Sequence, residues 1–420
     1  MDDARAPVAA KATSPNNSGS GAHQAQQASS QQPQPHQPSH AHAQQSQSPR
    51  TPSGVPAPSP ASVPPRHGHD LPFVAPSSYL RPKPGSHSMQ DSQALSILDR
   101  DQLVGLENIR QFLKIRTSYD VLPLSFRLIV LDTDLLIRKS LAILSQNGIV
   151  SAPLWDSHTS TFAGLLTSTD YINLIQYYCQ YPDRLSEIDQ FRLSGLRDIE
   201  RAIGVQPPET ISVHPMRSLY EACRTMLQTR ARRIPLVDVD DETGRQMVVS
   251  VVTQYRILKF IAVNNEINTV LLKKPVREIG LGTYDNLKTA SMSDPVLDVI
   301  HIMVEHNISA VPVVDSQNRV RNVFEAVDVI LCIKGGNYDD LQLSVGDALS
   351  KRAEDFPGIY TCSEDDRLDA IFDTIRKSRV HRLIVIDDDS RLRGIISLSD
   401  ILKYVLLFGE SDDAVSPDAR

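Results

Sequence analysis

Two stretches of the chain close an apolar run with the same set of hydroxyls and a carboxylate, Gly164–Asp170 and Gly394–Asp400. In the first the polar groups are Thr167, Thr169 and Asp170; in the second they are Ser397, Ser399 and Asp400. A third run ends at Glu325 and Asp328, and a fourth at Thr253 and Arg256, with a guanidinium where the others carry an acid. An ionised carboxylate can accept two adjacent hydroxyl donors at once, so Asp170, Asp328 and Asp400 suit capture of a vicinal diol. The nearby hydroxyls, and the free amides of a helix that starts there, suit an anion. The same placement also describes a plain helix cap, worth about 0.5–2 kcal/mol and common in any fold.

Cations recur in phase as well. Arg232-Arg233 and His381-Arg382 stand just before the first apolar strand of two of these units, and a guanidinium fork matches phosphate oxygens better than a point charge does. Each Arg taken alone also reads as solvated surface charge, and His381 as a hydrogen-bonded, partly buried histidine.

The elements that must position these groups form a fourfold repeat: an amphipathic helix, a short apolar strand, a turn, a second apolar strand and a second helix with an acid near its start. The first copy runs from Asp134 through the strands Ser151–Asp156 and Phe162–Thr167 to a helix from Tyr171. The second runs from Met216 through Ile234–Asp238 and Met247–Thr253 to a helix after Arg256. The third runs from Pro295 through Ala310–Asp315 and a strand from Val320 to Val327, with Asp328 opening the helix. The fourth runs from Arg367 through Leu383–Asp387 and a strand from Leu392 to Leu398, before Ser399 and Asp400. Pro153 precedes Asp170 by 17 positions and Pro312 precedes Asp328 by 16, so the spacing holds to one residue. Short apolar strands flanked by helices predict an α/β fold with mixed or parallel pairing. A lone unit is too small to bury both faces, so the units are expected to pair.

Residues 1–95 hold 16 of the 28 prolines and 7 of the 12 histidines among Gln, Ser and Ala, a composition that cannot offset its ordering entropy. This segment is expected to be disordered. The predicted repeats span 103–182, 196–268, 275–338 and 344–410, with a flexible C-terminus at 411–420. A formal charge of −7 without clustered basic excess argues against nucleic acid. The four scattered cysteines indicate neither a disulfide framework nor a zinc site. No apolar run reaches the roughly 18–20 residues of a membrane span, so no membrane partner is expected and the reading is cytoplasmic and nuclear. No P-loop lysine, G-x-S-x-G or kinase signature is present, so the chain is read as non-enzymatic. The aromatic stretch Tyr171–Tyr181 reads as core and repeat-interface material before a partner dock.

The runs Gly164–Asp170 and Gly394–Asp400 resemble the closing motif of cystathionine β-synthase (CBS) domains. Four such repeats without a catalytic domain resemble the γ subunits of AMP-activated protein kinase. The likeness covers residues 103–410 and is carried further by Ser151–Ser157, Arg256–Phe260, Val380–Leu383 and Ser397–Leu407, which resemble the fungal members. It implies two Bateman modules forming a flat disc behind a disordered tail. It also implies competitive binding of AMP, ADP and ATP as regulatory ligands, and assembly with a catalytic α kinase subunit and a scaffold β subunit in an energy-stress kinase.

Carried over residue by residue, the resemblance implies ribose contact at Asp170, Asp328 and Asp400, and phosphate contact at Arg232, Arg233, Arg352, His381 and Arg382. Thr167, Thr169, Ser397 and Ser399 supply hydroxyls. Leu165, Ile211, Thr283, Ile308, Ser309 and Tyr360 line adenine and ribose, and Glu325 sits in the third motif where a hydroxyl is usual. Arg256 implies a vacant fourth site. Val150 and Tyr255 stand where animal relatives have Arg and Lys, a loss of two cations that is expected to weaken phosphate neutralisation, and Arg232 replaces a His. The alternative function is a CBS scaffold that holds a complex together without sensing nucleotide.

Overall fold

The computed structural model describes residues 95–334 and 338–409. The disorder expected before residue 95 and the flexible end at 411–420 lie outside the described residues.

Each repeat is built on an antiparallel hairpin. Ser151–Asp156 pairs with Thr161–Thr167, Arg233–Val239 with Gln246–Thr253, Ala310–Val314 with Val320–Glu325, and Arg382–Ile386 with Leu392–Ser397. All four hairpins carry a register shift near the turn, which lets a bulge bend the ribbon. A short preceding segment adds a parallel edge to each. Leu131–Asp132 pairs with the first hairpin and Thr361–Cys362 with the fourth, while Val213 and Ala290 make single parallel bridges in the second and third. Mixed pairing therefore holds, although segments two residues long leave no periodicity to read in sequence.

The hairpins meet in pairs, first with second and third with fourth. Phe162 N donates to Gln246 Oε1 at 2.8 Å in one pair, and Val320 N to Ser390 O at 2.9 Å in the other. The helices pair differently. One apolar core joins the second repeat to the fourth through Ile257, Leu258 and Ile261 against Leu368, Phe372 and Leu402. A second core joins the first to the third through Tyr171, Leu174 and Ile175 against Val299, Phe324 and Val329. A smaller cluster of Ala310, Val323, Ile384 and Leu392 joins the third and fourth hairpins, so apolar burial between helices and between hairpins ties the repeats together.

The helix Ile97–Ile115 seals the first of these cores with Leu106, Ile109 and Leu113, all fully buried. Its Arg110 donates to the carbonyls of Val405 and Phe408, orphan acceptors at the end of the last helix. In the aromatic stretch Tyr171, Tyr177 and Tyr178 are buried, as expected of core material, and the exposed residues are its last three, Cys179, Gln180 and Tyr181. Among the described residues no helix is long and apolar enough to cross a membrane.

Candidate functional site

In every repeat the second strand ends on the residue that caps the next helix. Those helices are Ser168–Gln180, Gln254–Asn264, Ala326–Cys332 and Leu398–Leu407, and their N-caps are Thr167, Thr253, Glu325 and Ser397. In the first, third and fourth repeats the helix begins ahead of the Asp rather than at or after it. The capping box accounts for this correction, because an Asp at N3 can reach back to the N-cap amide. Thr167 N and Oγ1 donate to Asp170 Oδ2 at 2.7 and 2.8 Å, and Ser397 N and Oγ to Asp400 Oδ2 at 2.8 and 2.7 Å. Glu325 N donates to Asp328 Oδ2 at 2.7 Å. One oxygen of each carboxylate is thus committed to the fold.

The second oxygen separates the three. Asp170 Oδ1 accepts from Arg197 Nη1 at 3.3 Å, and the same guanidinium reaches Glu200 at 2.8 Å. Asp170 and Glu200 are both buried, and burial pushes both carboxyls up against the lowering effect of Arg197. Asp328 is held by a fork, Arg352 Nε on Oδ1 at 2.7 Å and Nη2 on Oδ2 at 2.6 Å. The remaining donors of Arg352 go to Asn322 Oδ1 and the Val323 carbonyl, and its plane lies 4.3 Å from the Phe356 ring. Arg352, expected to face phosphate, is instead spent on a carboxylate of its own chain. Among the described residues the half-buried Asp400 has no cationic partner, and its Oδ1 has no hydrogen bond.

The surroundings of Asp400 are otherwise built. Ser399 Oγ donates to Gln254 Oε1 at 3.0 Å, and Gln254 N donates to the Arg232 carbonyl at 3.1 Å, so two helix starts and a strand start are tied together. Thr283, exposed, pairs with Ile395 through two backbone bonds of 2.9 Å. Its neighbour Tyr284 passes over Gly394, where a Cβ would sit 2.7 Å from the ring. Burial, then the nearby Glu364, Cys362 and Asp400, push the Tyr284 phenol up to about 12.

A group of cations gathers where the second, third and fourth repeats meet. Glu325 Oε1 accepts from Arg382 Nε at 2.6 Å, and its other oxygen lies 3.9 Å from His381 Nδ1. Burial raises the Glu325 carboxyl, but Arg382 and His381 outweigh it and hold it below the usual range. His381 is lowered, chiefly by burial and further by Arg379, Arg382 and Arg233, against the raising effect of Glu325. Arg232 is open to water yet ringed by protein, and desolvation with the charges of Arg382 and Arg233 pushes it down to about 10. Arg233 is lowered by desolvation and Arg379. Arg232, Arg233 and Arg379 form no ion pair among the described residues, although Glu325 lies close enough to Arg232 to act on its charge. Cations crowded without counter-charges are stabilised by an arriving anion.

Of the remaining candidates, Leu165 lies opposite Pro153 on the first hairpin, and Thr169 is half-buried in the first turn of Ser168–Gln180. Ile211 and Tyr360 pack on the core of the second and fourth repeats, and Ile308 on that of the first and third. Ser309 is buried, and its carbonyl accepts from Ala326 N. The structure thus brings Ser397, Ser399, Asp400 and Thr283 together beside the strand of Arg232. It keeps Asp170 apart with Arg197, a residue the sequence reading missed because it lies 27 positions on, outside the repeat phase. Tyr284 and Arg379 were also missed, although each adjoins a residue the motif had marked.

Four hairpin-and-helix repeats whose helix starts carry these polar groups define a CBS-domain protein, and the CBS domain family model matches residues 204–263, 276–335 and 353–407. The first repeat lies outside those matches but has the same element order. The chain is 55% identical to the 5'-AMP-activated protein kinase subunit gamma of Kluyveromyces lactis, over 80% of this chain and 99% of that protein. It is also 55% identical to the subunit gamma of Saccharomyces cerevisiae, over 76% and 98%, and 32% identical to the human subunit gamma-3, over 74% and 63%. A crystal structure from Methanocaldococcus jannaschii, described as an archaeal homolog of the γ subunit, shares the fold with a TM-score of 0.53 at 18% identity, over 69% of this chain and 99% of that one. The chain belongs to the γ subunits of 5'-AMP-activated protein kinase, and is a non-catalytic regulatory subunit of such a kinase complex.

Proposed function

We propose that this subunit senses cellular energy by binding AMP, ADP and ATP in competition, with Asp400 as the ribose anchor. The observation that carries the reading is the contrast among three carboxylates in the same phase of the repeat. Asp170 and Asp328 are taken up by arginines, whereas Asp400 keeps one oxygen open. Ser397 and Ser399 stand in the same helix start as Asp400, Thr283 pairs with Ile395 on the strand before it, and the half-buried phenol of Tyr284 is near enough for Asp400 to raise it. Arg232, Arg233, His381 and Arg382 supply positive charge for phosphate, and Tyr360 and Ile211 supply apolar surface in the same half of the molecule. The arginine clamps favour a structural role for Asp170 and Asp328.

Binding regulates a kinase only if the nucleotides differ in affinity between its states, so discrimination by phosphate charge is the useful property of such a site. The partners in this reading are a catalytic α and a scaffold β subunit, consistent with the names of the relatives. Calorimetry with AMP, ADP and ATP on the full chain tests it, with Asp400→Asn and Asp400→Ala alongside. Asn keeps an acceptor for the capping box, so loss of binding in both variants, with Asn still melting like wild type, is the expected result. Unchanged affinity in both would remove Asp400 from the site. No binding to wild type would leave a scaffold.

A further inference from the structure

The third repeat breaks a rule that the other three obey. Its N-cap is a carboxylate, Glu325, where the others present Thr167, Thr253 and Ser397. A hydroxyl is sufficient to cap these helices, since Thr253 Oγ1 accepts from Arg256 N at 3.2 Å and Ser397 Oγ from Asp400 N at 3.3 Å. Glu325 makes the equivalent capping contact and, in addition, extends an oxygen to Arg382 in the fourth repeat. Capping therefore does not explain the charge.

We propose that Glu325 is a built-in anion that occupies Arg382 in place of phosphate and sets how strongly the site discriminates among nucleotides by phosphate number. The inference rests on the nucleotide reading above and assigns the residue that tunes it. The charged groups that act on Glu325 are the cations Arg382 at 2.6 Å, His381 at 3.9 Å, Arg352 and Arg232, and on its own helix the carboxylate of Asp328, which Arg352 holds. Beside it Arg233 and Arg379 form no ion pair among the described residues, so the hub holds several cations against Glu325 and the Asp328 that Arg352 clamps.

A phosphoryl group that approaches Arg382 must displace the Glu325 carboxylate or bind next to it. Either route costs more as charge on the incoming group grows, because repulsion scales with the product of the charges. The carboxylate therefore weakens a triphosphate more than a monophosphate, a device that acts by repulsion rather than by added contact. Since the hub joins three repeats, release of Arg382 from Glu325 also loosens a link between the third and the fourth.

Calorimetry on the full chain, titrated with AMP and with ATP, tests this with Glu325→Gln and Glu325→Ser. Gln keeps the shape and a cap acceptor without the charge, and Ser restores the hydroxyl of the other repeats, so one variant backs up the other if folding fails. At an effective dielectric of about 20, removing one charge a few ångströms from phosphate should tighten ATP roughly tenfold or more. AMP should tighten by clearly less, so the ATP-to-AMP affinity ratio rises in both variants. Binding of ATP in a variant but not in wild type would also support the proposal, with Glu325 as a complete block. A ratio that stays at the wild-type value while both ligands bind overturns it and leaves the nucleotide reading intact. Absence of binding in wild type and in both folded variants overturns the two together.

Discussion

Removing the guanidinium from Asp328 probes the least replaceable contact in the third repeat. Arg352 and Asp328 have side chains only 9% and 2% exposed, and the fork between them spans both carboxylate oxygens. In Arg352→Met the carboxyl keeps only its cap donor and loses its counter-charge. Breaking a buried pair in this way costs about 3–5 kcal/mol. A linkage argument gives a similar figure: a carboxyl that stays neutral in the fold at pH 7, against an unfolded value near 3.9, forfeits about 4 kcal/mol. Burial already pushes Asp328 above its ordinary value in the wild-type chain, against the lowering effect of Arg352, so part of that cost is present before the substitution.

The sign follows from that direction. A carboxyl raised in the folded state contributes full stability below its unfolded pKa and loses it as pH rises through the folded value. The Arg352→Met penalty should therefore be largest near neutrality and shrink toward pH 5, to at most about 1.5 kcal/mol. Urea denaturation of the full chain followed by circular dichroism at pH 5, 6, 7 and 8 measures it. Asp328→Asn added to Arg352→Met should recover most of the loss, because the buried charge is gone and the cap acceptor remains. A penalty that does not vary with pH, or a double variant no better than the single, would refute the reasoning.

Two further outcomes follow from the same geometry. Arg197 is the counter-charge for both Asp170 and Glu200, whose carboxyls burial pushes up, so stability is lost as pH rises through their folded values. Arg197→Met should steepen the fall of the melting temperature between pH 5 and 8 in a fluorimetric scan; curves that stay parallel to wild type would count against it. Gly394→Ala would place a methyl 2.7 Å from Tyr284 Cδ1 and 2.9 Å from the Thr283 carbonyl. It should cost about 1–3 kcal/mol by overpacking and weaken nucleotide binding with it; an unchanged melt and affinity would show that the Thr283–Ile395 pairing is slack.

Much of the architecture is legible in the residues because the repeat states it four times. Apolar runs such as Ser151–Asp156 and Arg382–Ile386 are strands in either reading, since short fully apolar segments between amphipathic helices must lie in a covered sheet. Helix starts were less legible. Glu325 and Ser397 end strands and begin helices at once, and only the hydrogen bond that the N-cap amide donates to an N3 Asp fixes the boundary.

What the sequence by itself determined is the class: four CBS repeats, three acids and one Arg in common phase, and basic residues ahead of two strands. These are local patterns, and local spacing carries them. What only the tertiary structure decided is which carboxylate is open. Arg197 stands 27 positions beyond Asp170, Arg352 stands 24 beyond Asp328, and Arg382 stands 57 beyond Glu325. Such partners are selected by how the chain returns in space: Arg382 reaches Glu325 where the third and fourth hairpins meet, and Arg197 and Arg352 lie in the segments that follow the first and third repeats and fold back on their helix starts. Charge pairing in a folded chain depends on distance through space, which repeat phase does not encode, so identical motifs acquire different chemistry.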